Sequence, residues 1–196
     1  MLEIRIHGRG GQGAVTSAEL LAATAISKGK YAQAFPNFGP ERRGAPVTAF
    51  CRISDERIYN RSKIYNPDIV IVLDAGLLAM VNPTEGMKDG ALLIINTKKN
   101  IDDMIKEHDY RCRVATVDAN LIAQEVLKRP IINTTMLGAF FRATGIFELS
   151  DIGPHIIERF GEKLGSLNNQ ALERAYNEAC IKEHGHGEED RRYKLA

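Results

Sequence analysis

The chain has 196 residues, 44% of them hydrophobic, with 26 Lys and Arg against 25 Asp and Glu for a formal charge of +1. That length builds a domain-sized core without disulfides or a structural metal, and the near-neutral balance excludes a general field for nucleic acid or an anionic membrane, so any anion site must be local. Cys51, Cys112 and Cys180 lie far apart with no C-x-x-C pair, which excludes a disulfide framework and an iron–sulfur or four-thiolate metal site made from this chain alone. The N-terminus alternates apolar and charged residues with no apolar leader, and the longest apolar stretch, residues 69–81, is broken by Asp74 and too short for a bilayer. A cytoplasmic protein in a reducing compartment is expected, acting on neither membrane nor nucleic acid.

Leu2, Ile4 and Ile6 alternate with Glu3 and Arg5 and run into Gly8-Arg9-Gly10-Gly11-Gln12-Gly13, which reads as a first strand delivered into a glycine turn. A helix follows, with Ala18, Leu21, Ala22 and Ala25 at helical spacing, Thr16 and Glu19 at capping-box spacing, and Gly29 placed to end it with positive φ. Residues 30–35 predict a second strand cut by Pro36, and residues 36–44 a loop stiffened by two prolines and two glycines. Val47, Ala49, Cys51 and Ile53 predict a strand with one face more buried, with residues 57–60 returning beside it as a hairpin.

Residues 69–73 and 91–95 are short continuous apolar runs, and 114–117 a weaker third, as expected of strands covered on both faces. Each ends in a polar residue, Asp74, Asn96 or Asp118, before a helix-compatible segment. From Asn133 onward only helices are expected, over 135–144, 151–160 and 168–183. The prediction is a single α/β domain over residues 1–183: a three-layer α/β/α sandwich around a mixed, mostly parallel sheet, with a Rossmann-like start and a helical C-terminal part, followed by a polar tail at 184–196.

The sharpest motif is Gly8-x-Gly10-x-x-Gly13 between strand and helix. Glycines there let the backbone approach an anion, and the helix start aims unpaired N–H groups at the same point. Thr16 and Ser17 add hydroxyls, and Arg9 adds a charge suited to a phosphate or to a neighbouring subunit. An ordinary dinucleotide site also needs an acidic residue at the end of the second strand, but no Asp or Glu occurs between Glu19 and Glu41. No Gly-Lys-Ser/Thr closes the turn as a P-loop would require. Arg42 and Arg43, held among prolines, glycines, Phe35 and Phe38, suit an anion clamp or a contact surface. Asp74, Asn96 and Asp118 stand where open α/β sheets place ligands, although helix capping explains each more simply. His184 and His186 read as a solvated tail rather than a metal site, and His7 and His155 have no catalytic partner at any recognisable spacing. No catalytic set emerges.

Three stretches, residues 7–19 (HGRGGQGAVTSAE), 31–46 (YAQAFPNFGPERRGAP) and 133–139 (NTTMLGA), closely resemble the gamma subunit of 2-oxoacid:ferredoxin oxidoreductases, with the pyruvate enzyme (pyruvate synthase) the nearest form. The resemblance implies a multi-subunit enzyme that converts a 2-oxoacid and coenzyme A to an acyl-coenzyme A, carbon dioxide and reduced ferredoxin. It implies that thiamine diphosphate and the iron–sulfur clusters sit in partner chains of alpha, beta and delta type, while this chain associates with coenzyme A. On that basis the site residues are Gly8, Arg9, Gly10, Gly11, Gln12, Gly13, Thr16, Arg42 and Arg43. Two other classes remain open at this point: a structural subunit that binds no ligand, and a stand-alone dinucleotide oxidoreductase.

Overall fold

The computed structural model describes residues 1–37 and 44–183. Seven strands form one sheet in the order β2-β3-β1-β4-β5-β6-β7, with β1 at Leu2–Arg9, β2 at Tyr31–Asn37, β3 at Pro46–Ser54, β4 at Ile69–Val72, β5 at Leu92–Asn96, β6 at Arg113–Val117 and β7 at Cys180–Lys182. β1, β4, β5 and β6 pair in parallel, and β3 is antiparallel to both β1 and β2. β2 therefore runs with β1 but one strand removed from it. The helices are α1 at Ala14–Ser27, α2 at Ile101–His108, α3 at Ala119–Val126, α4 at Asn133–Thr144, α5 at Leu149–Phe160 and α6 at Glu162–Glu178.

The two faces of the sheet are unlike. Ile4, Ile6, Cys51, Ile69, Ile71, Leu92 and Ile94 join α1, α3, α4, α5 and α6 in the main core, whereas Val70, Val72, Leu93 and Ile95 meet α2 in a smaller one. Each large aliphatic side chain buried this way contributes about 1.5–3 kcal/mol of transfer free energy. On the α2 face, the β1 positions are Glu3, Arg5, His7 and Arg9, which alternate with the core residues. Loops cover part of this polar area: Arg5 donates to the carbonyls of Pro83 and Glu85 at 3.0 and 2.7 Å. Arg52, 1% exposed, donates to Glu3 at 2.9 Å and lies over the Phe35 ring at 5.3 Å.

Several expectations need correction. α1 starts at Ala14 with Gly13 as its N-cap and no side-chain cap, so Thr16 lies inside the first turn and no Thr16/Glu19 capping box forms. Gly29 does take a positive φ, 77°. β2 continues through Pro36, because it is an edge strand and tolerates a missing donor. β3 is buried on both faces from Ala49 onward, and residues 57–60 form no strand; its antiparallel partners are β1 and β2. Only a 3-10 turn, Ala75–Ala79, follows β4. α6 begins six residues before the expected start and gives way to β7, which pairs antiparallel with β6. Of the three free cysteines, Cys51 is buried, and burial pushes its thiol pKa up to about 12, Cys112 is half-buried and Cys180 is exposed.

Candidate functional site

Strand order reverses direction at β1: the chain first builds β2 and β3 on one side, then β4, β5 and β6 on the other. Ligands of open α/β sheets bind at such a switch point, outside the carboxyl ends of the strands. The tip of β1 carries the glycine turn and the tip of β4 carries Asp74, so both stand at this crevice.

The turn is shaped by its own chain. Gly11 and Gly13 take φ of 94° and 83°, the left-handed region that glycine enters without strain. The Gly10 N–H donates to the Ala45 carbonyl at 2.9 Å, carrying the β1–β3 ladder one residue past the strand, and the Gln12 N–H donates to Arg9 O at 2.9 Å. Gln12 Oε1 accepts the Arg9 N–H at 2.7 Å. Gly8 is a strand residue paired with Val47. The donors without a partner among the described residues are the backbone N–H groups of Gly11, Gly13 and the first turn of α1. The expected cradle spanning Gly8 to Gly13 thus narrows to its second half.

Arg9 points back into its own chain. Its Nε donates to Asp74 Oδ2 at 2.7 Å and Nη1 to the Gly44 carbonyl at 3.3 Å, while Gln12 Nε2 reaches the same Asp74 oxygen at 3.2 Å. Burial alone would raise the Asp74 pKa, but hydrogen bonds from Arg9, the Gly76 N–H and Gln12, with the Arg9 charge, hold it below the usual carboxylate value. Asn96 is a structural bridge, donating to Leu73 O at 2.9 Å and accepting the Ala119 N–H at 3.0 Å. Asp118 caps α3 by accepting the Leu121 N–H at 2.9 Å. Asp74 and Asp118 are caps, as the simpler explanation had it.

Thr16 lines an open cleft of about 320 Å³ between α1 and α5, with Glu19, Leu20, Ala23, His155, Glu158 and Arg159. Ser17 is buried, its hydroxyl within reach of the Gly13 and Asn133 carbonyls at 3.2 and 3.3 Å. The structure therefore brings Gly11, Gln12, Gly13 and Arg9 together, sets Thr16 to one side and adds Asp74 and Asn133. Asn133 stands 120 residues from Gly13, and no local pattern signals their contact. Arg42, Arg43 and the histidines of the tail lie outside the described residues. Among the described residues no group of three or more His, Cys, Asp or Glu is placed to hold a metal ion, and no helix is long and apolar enough to cross a membrane.

Fold and site together define an open-sheet α/β domain with a glycine turn of phosphate-binding grammar but without the β1–β2 neighbourhood that places a dinucleotide's ribose. The family described as pyruvate ferredoxin/flavodoxin oxidoreductase matches residues 3–178. The chain is 50% identical over 184 residues to the common gamma subunit of the pyruvate/ketoisovalerate oxidoreductases of Thermococcus kodakarensis, covering 93% of this chain and all of that one. The pyruvate oxidoreductase subunit PORC of Thermotoga maritima superposes with a TM-score of 0.82 at 41% identity, covering 93% of this chain and 98% of that one. The 2-oxoglutarate:ferredoxin oxidoreductase of Magnetococcus marinus shares the fold alone, with a TM-score of 0.68 at 20% identity over 90% of this chain and 30% of that one. The chain belongs to the pyruvate ferredoxin/flavodoxin oxidoreductase family, as a gamma-type subunit of the multi-subunit enzyme.

Proposed function

We propose that this subunit holds coenzyme A for the oxidative decarboxylation of pyruvate to acetyl-coenzyme A, carbon dioxide and reduced ferredoxin. The observation that carries the reading is the set of unpartnered N–H groups at Gly11, Gly13 and the start of α1, at the switch-point crevice. Such a nest, reinforced by the positive end of a helix, suits a phosphate. Support also comes from the Magnetococcus marinus enzyme, whose structure holds coenzyme A and succinyl-coenzyme A. Arg42 and Arg43 are assigned to a phosphate clamp or to a bridge to a catalytic neighbour.

Coenzyme A supplies the thiol that accepts the acyl group. This chain's residues hold the phosphate end, orient the arm and exclude water, so its contribution is positional. Thiamine diphosphate and the iron–sulfur clusters belong to alpha-, beta- and delta-type partner chains, and ferredoxin docks on the assembled complex. The choice of 2-oxoacid also belongs to those partners, an assignment supported by the Thermococcus kodakarensis relative, whose name makes it common to a pyruvate and a ketoisovalerate enzyme. We place the complex in the cytoplasm, where the free thiols of Cys51, Cys112 and Cys180 remain reduced.

A second reading, an ordering subunit without a ligand, is favoured by the engagement of Arg9 and Gln12 with Asp74 and with the turn itself. Equilibrium titration of the assembled complex with coenzyme A separates the two. Gly11→Asp puts a carboxylate where a side chain meets nothing within 4 Å among the described residues. It should weaken coenzyme A binding about tenfold or more while the complex still assembles. Unchanged affinity in the assembled variant establishes the ordering role instead.

A further inference from the structure

The end of the sheet where β1 and β4 begin lies about 24 Å from the crevice, along the eight residues of β1. Of the nine large hydrophobic side chains exposed among the described residues, five belong to this end. Met1 precedes β1, Ile26 is in the last turn of α1, Tyr31 opens β2, and Tyr59 and Tyr65 stand between β3 and β4, 80% and 69% exposed. An open groove of about 490 Å³ runs beside them, lined by Met1 and residues 54–60. The loop that carries Tyr59 is fixed from below. Gln33 Nε2 donates to the Ile58 carbonyl at 3.1 Å, and the buried Arg52 donates through Nη1 to the Asn60 carbonyl at 3.3 Å. The carbonyls on either side of Tyr59 are thus tethered to β2 and β3 while its side chain stands in solvent. The charge of the loop is one-sided. Asp55 is already paired with Lys30 at 2.5 Å, whereas Arg57, Arg61 and Lys63 are exposed and form no ion pair among the described residues. Grouped exposed aromatic and methionine side chains beside free arginines are the composition of protein interfaces, and a loop held in place before contact loses little entropy on docking.

We propose that the 55–63 loop and the groove beside it dock another subunit of the oxidoreductase, through a partner surface that offers an apolar socket for Tyr59 rimmed by carboxylates. The inference stands on membership of a multi-subunit enzyme and is independent of the coenzyme A reading. Charge complementarity selects the partner. The whole chain carries a formal charge of only +1, so the basic excess is a property of this loop, and acidic groups would both steer the approach and pair with it. A second copy of this chain fits poorly, because a two-fold contact would set one basic loop against the other. Docking at this end also leaves the carboxyl ends of β1 and β4 open, so one subunit can hold the chain while the crevice faces another.

Dilution of the intact complex, followed by native mass spectrometry, gives the Kd for release of this chain. Tyr59→Ala should raise that Kd about tenfold or more. The double variant Arg57→Glu, Arg61→Glu should do the same and should flatten the dependence of release on salt. Leu121→Ala, at an exposed hydrophobic residue of α3, should leave the Kd within about twofold. Because Tyr59 is exposed, the melting temperature of the full-length Tyr59→Ala chain should stay within about 2 °C, which separates lost docking from lost folding. A Kd unchanged in both the Tyr59 and the arginine variants would overturn the proposal, as would an equal loss with Leu121→Ala. Release that responds to Tyr59→Ala but not to charge reversal would overturn the acidic partner. Self-association of the chain that Tyr59→Ala abolishes would assign the surface to a second copy and overturn it too.

Discussion

Arg9, the last residue of β1, and Asp74, two residues past the end of the adjacent parallel strand β4, are 65 residues apart and bridge β1 and β4 through a 2.7 Å hydrogen-bonded ion pair. Their side chains are 30% and 27% exposed, so the bond is partly screened and its net worth is modest. Asp74→Ala removes the pair, the Gln12 contact and the Gly76 cap together. It should destabilise the chain by about 1–2 kcal/mol, seen as a fall of about 2–8 °C in melting temperature by thermal unfolding. Asp74→Asn keeps an acceptor for the cap and should lose less than half as much.

Gly11 and Gly13 have nearly the same backbone conformation but different surroundings. A methyl at Gly11 meets nothing within 4 Å among the described residues, whereas at Gly13 it would press on three atoms of Asn133. Gly11→Ala should cost only the left-handed penalty, about 1 kcal/mol, and Gly13→Ala about 2–3 kcal/mol. Urea denaturation midpoints for the two variants measure the difference, which isolates the Asn133 contact from backbone strain.

Gly138 has an ordinary helical conformation and sits where α4 crosses α6. A Cβ there would overlap the Leu172 carbonyl oxygen and stand 2.9 Å from the Ala175 Cβ. α4 is buried on nearly every side, so the helices have nowhere to yield. Gly138→Ala should cost about 3 kcal/mol or more despite the better helix propensity of alanine. Circular dichroism of the purified variant should show a lowered or lost cooperative transition.

His7 on β1 is held neutral: burial, with the nearby Arg5 charge, lowers its pKa from 6.5 to about 4. Its Nε2 has no partner among the described residues. The unfolded chain therefore binds the proton first as pH falls, and folded stability declines between about pH 6.5 and 4, by at most about 3 kcal/mol. His7→Asn should flatten this dependence, which denaturant midpoints at pH 7 and pH 5 would reveal. An equally steep loss in the variant would assign the acid sensitivity to other groups.

The features encoded by near neighbours were legible in the residues themselves. The alternation over Leu2–Ile6, the aliphatic runs at β4 and β5, the glycine turn and the positive φ at Gly29 follow from side-chain periodicity and turn chemistry, which act over a few residues. The family motifs were equally local, and the gamma-subunit membership expected from them is what the comparisons show. Tertiary structure decided what depends on partners far away. Insertion of β3 between β1 and β2, the run of β2 through Pro36 at an edge and the addition of β7 beside β6 are choices of strand neighbour, which no window of sequence contains. In the same way, the bond of Gly10 to Ala45, the capture of Arg9 by Asp74 and the seating of Asn133 on Gly13 join residues 35, 65 and 120 positions apart. Local chemistry supplied a turn able to meet an anion; only the packing of β3, β4 and α4 around it settled which donors stay free.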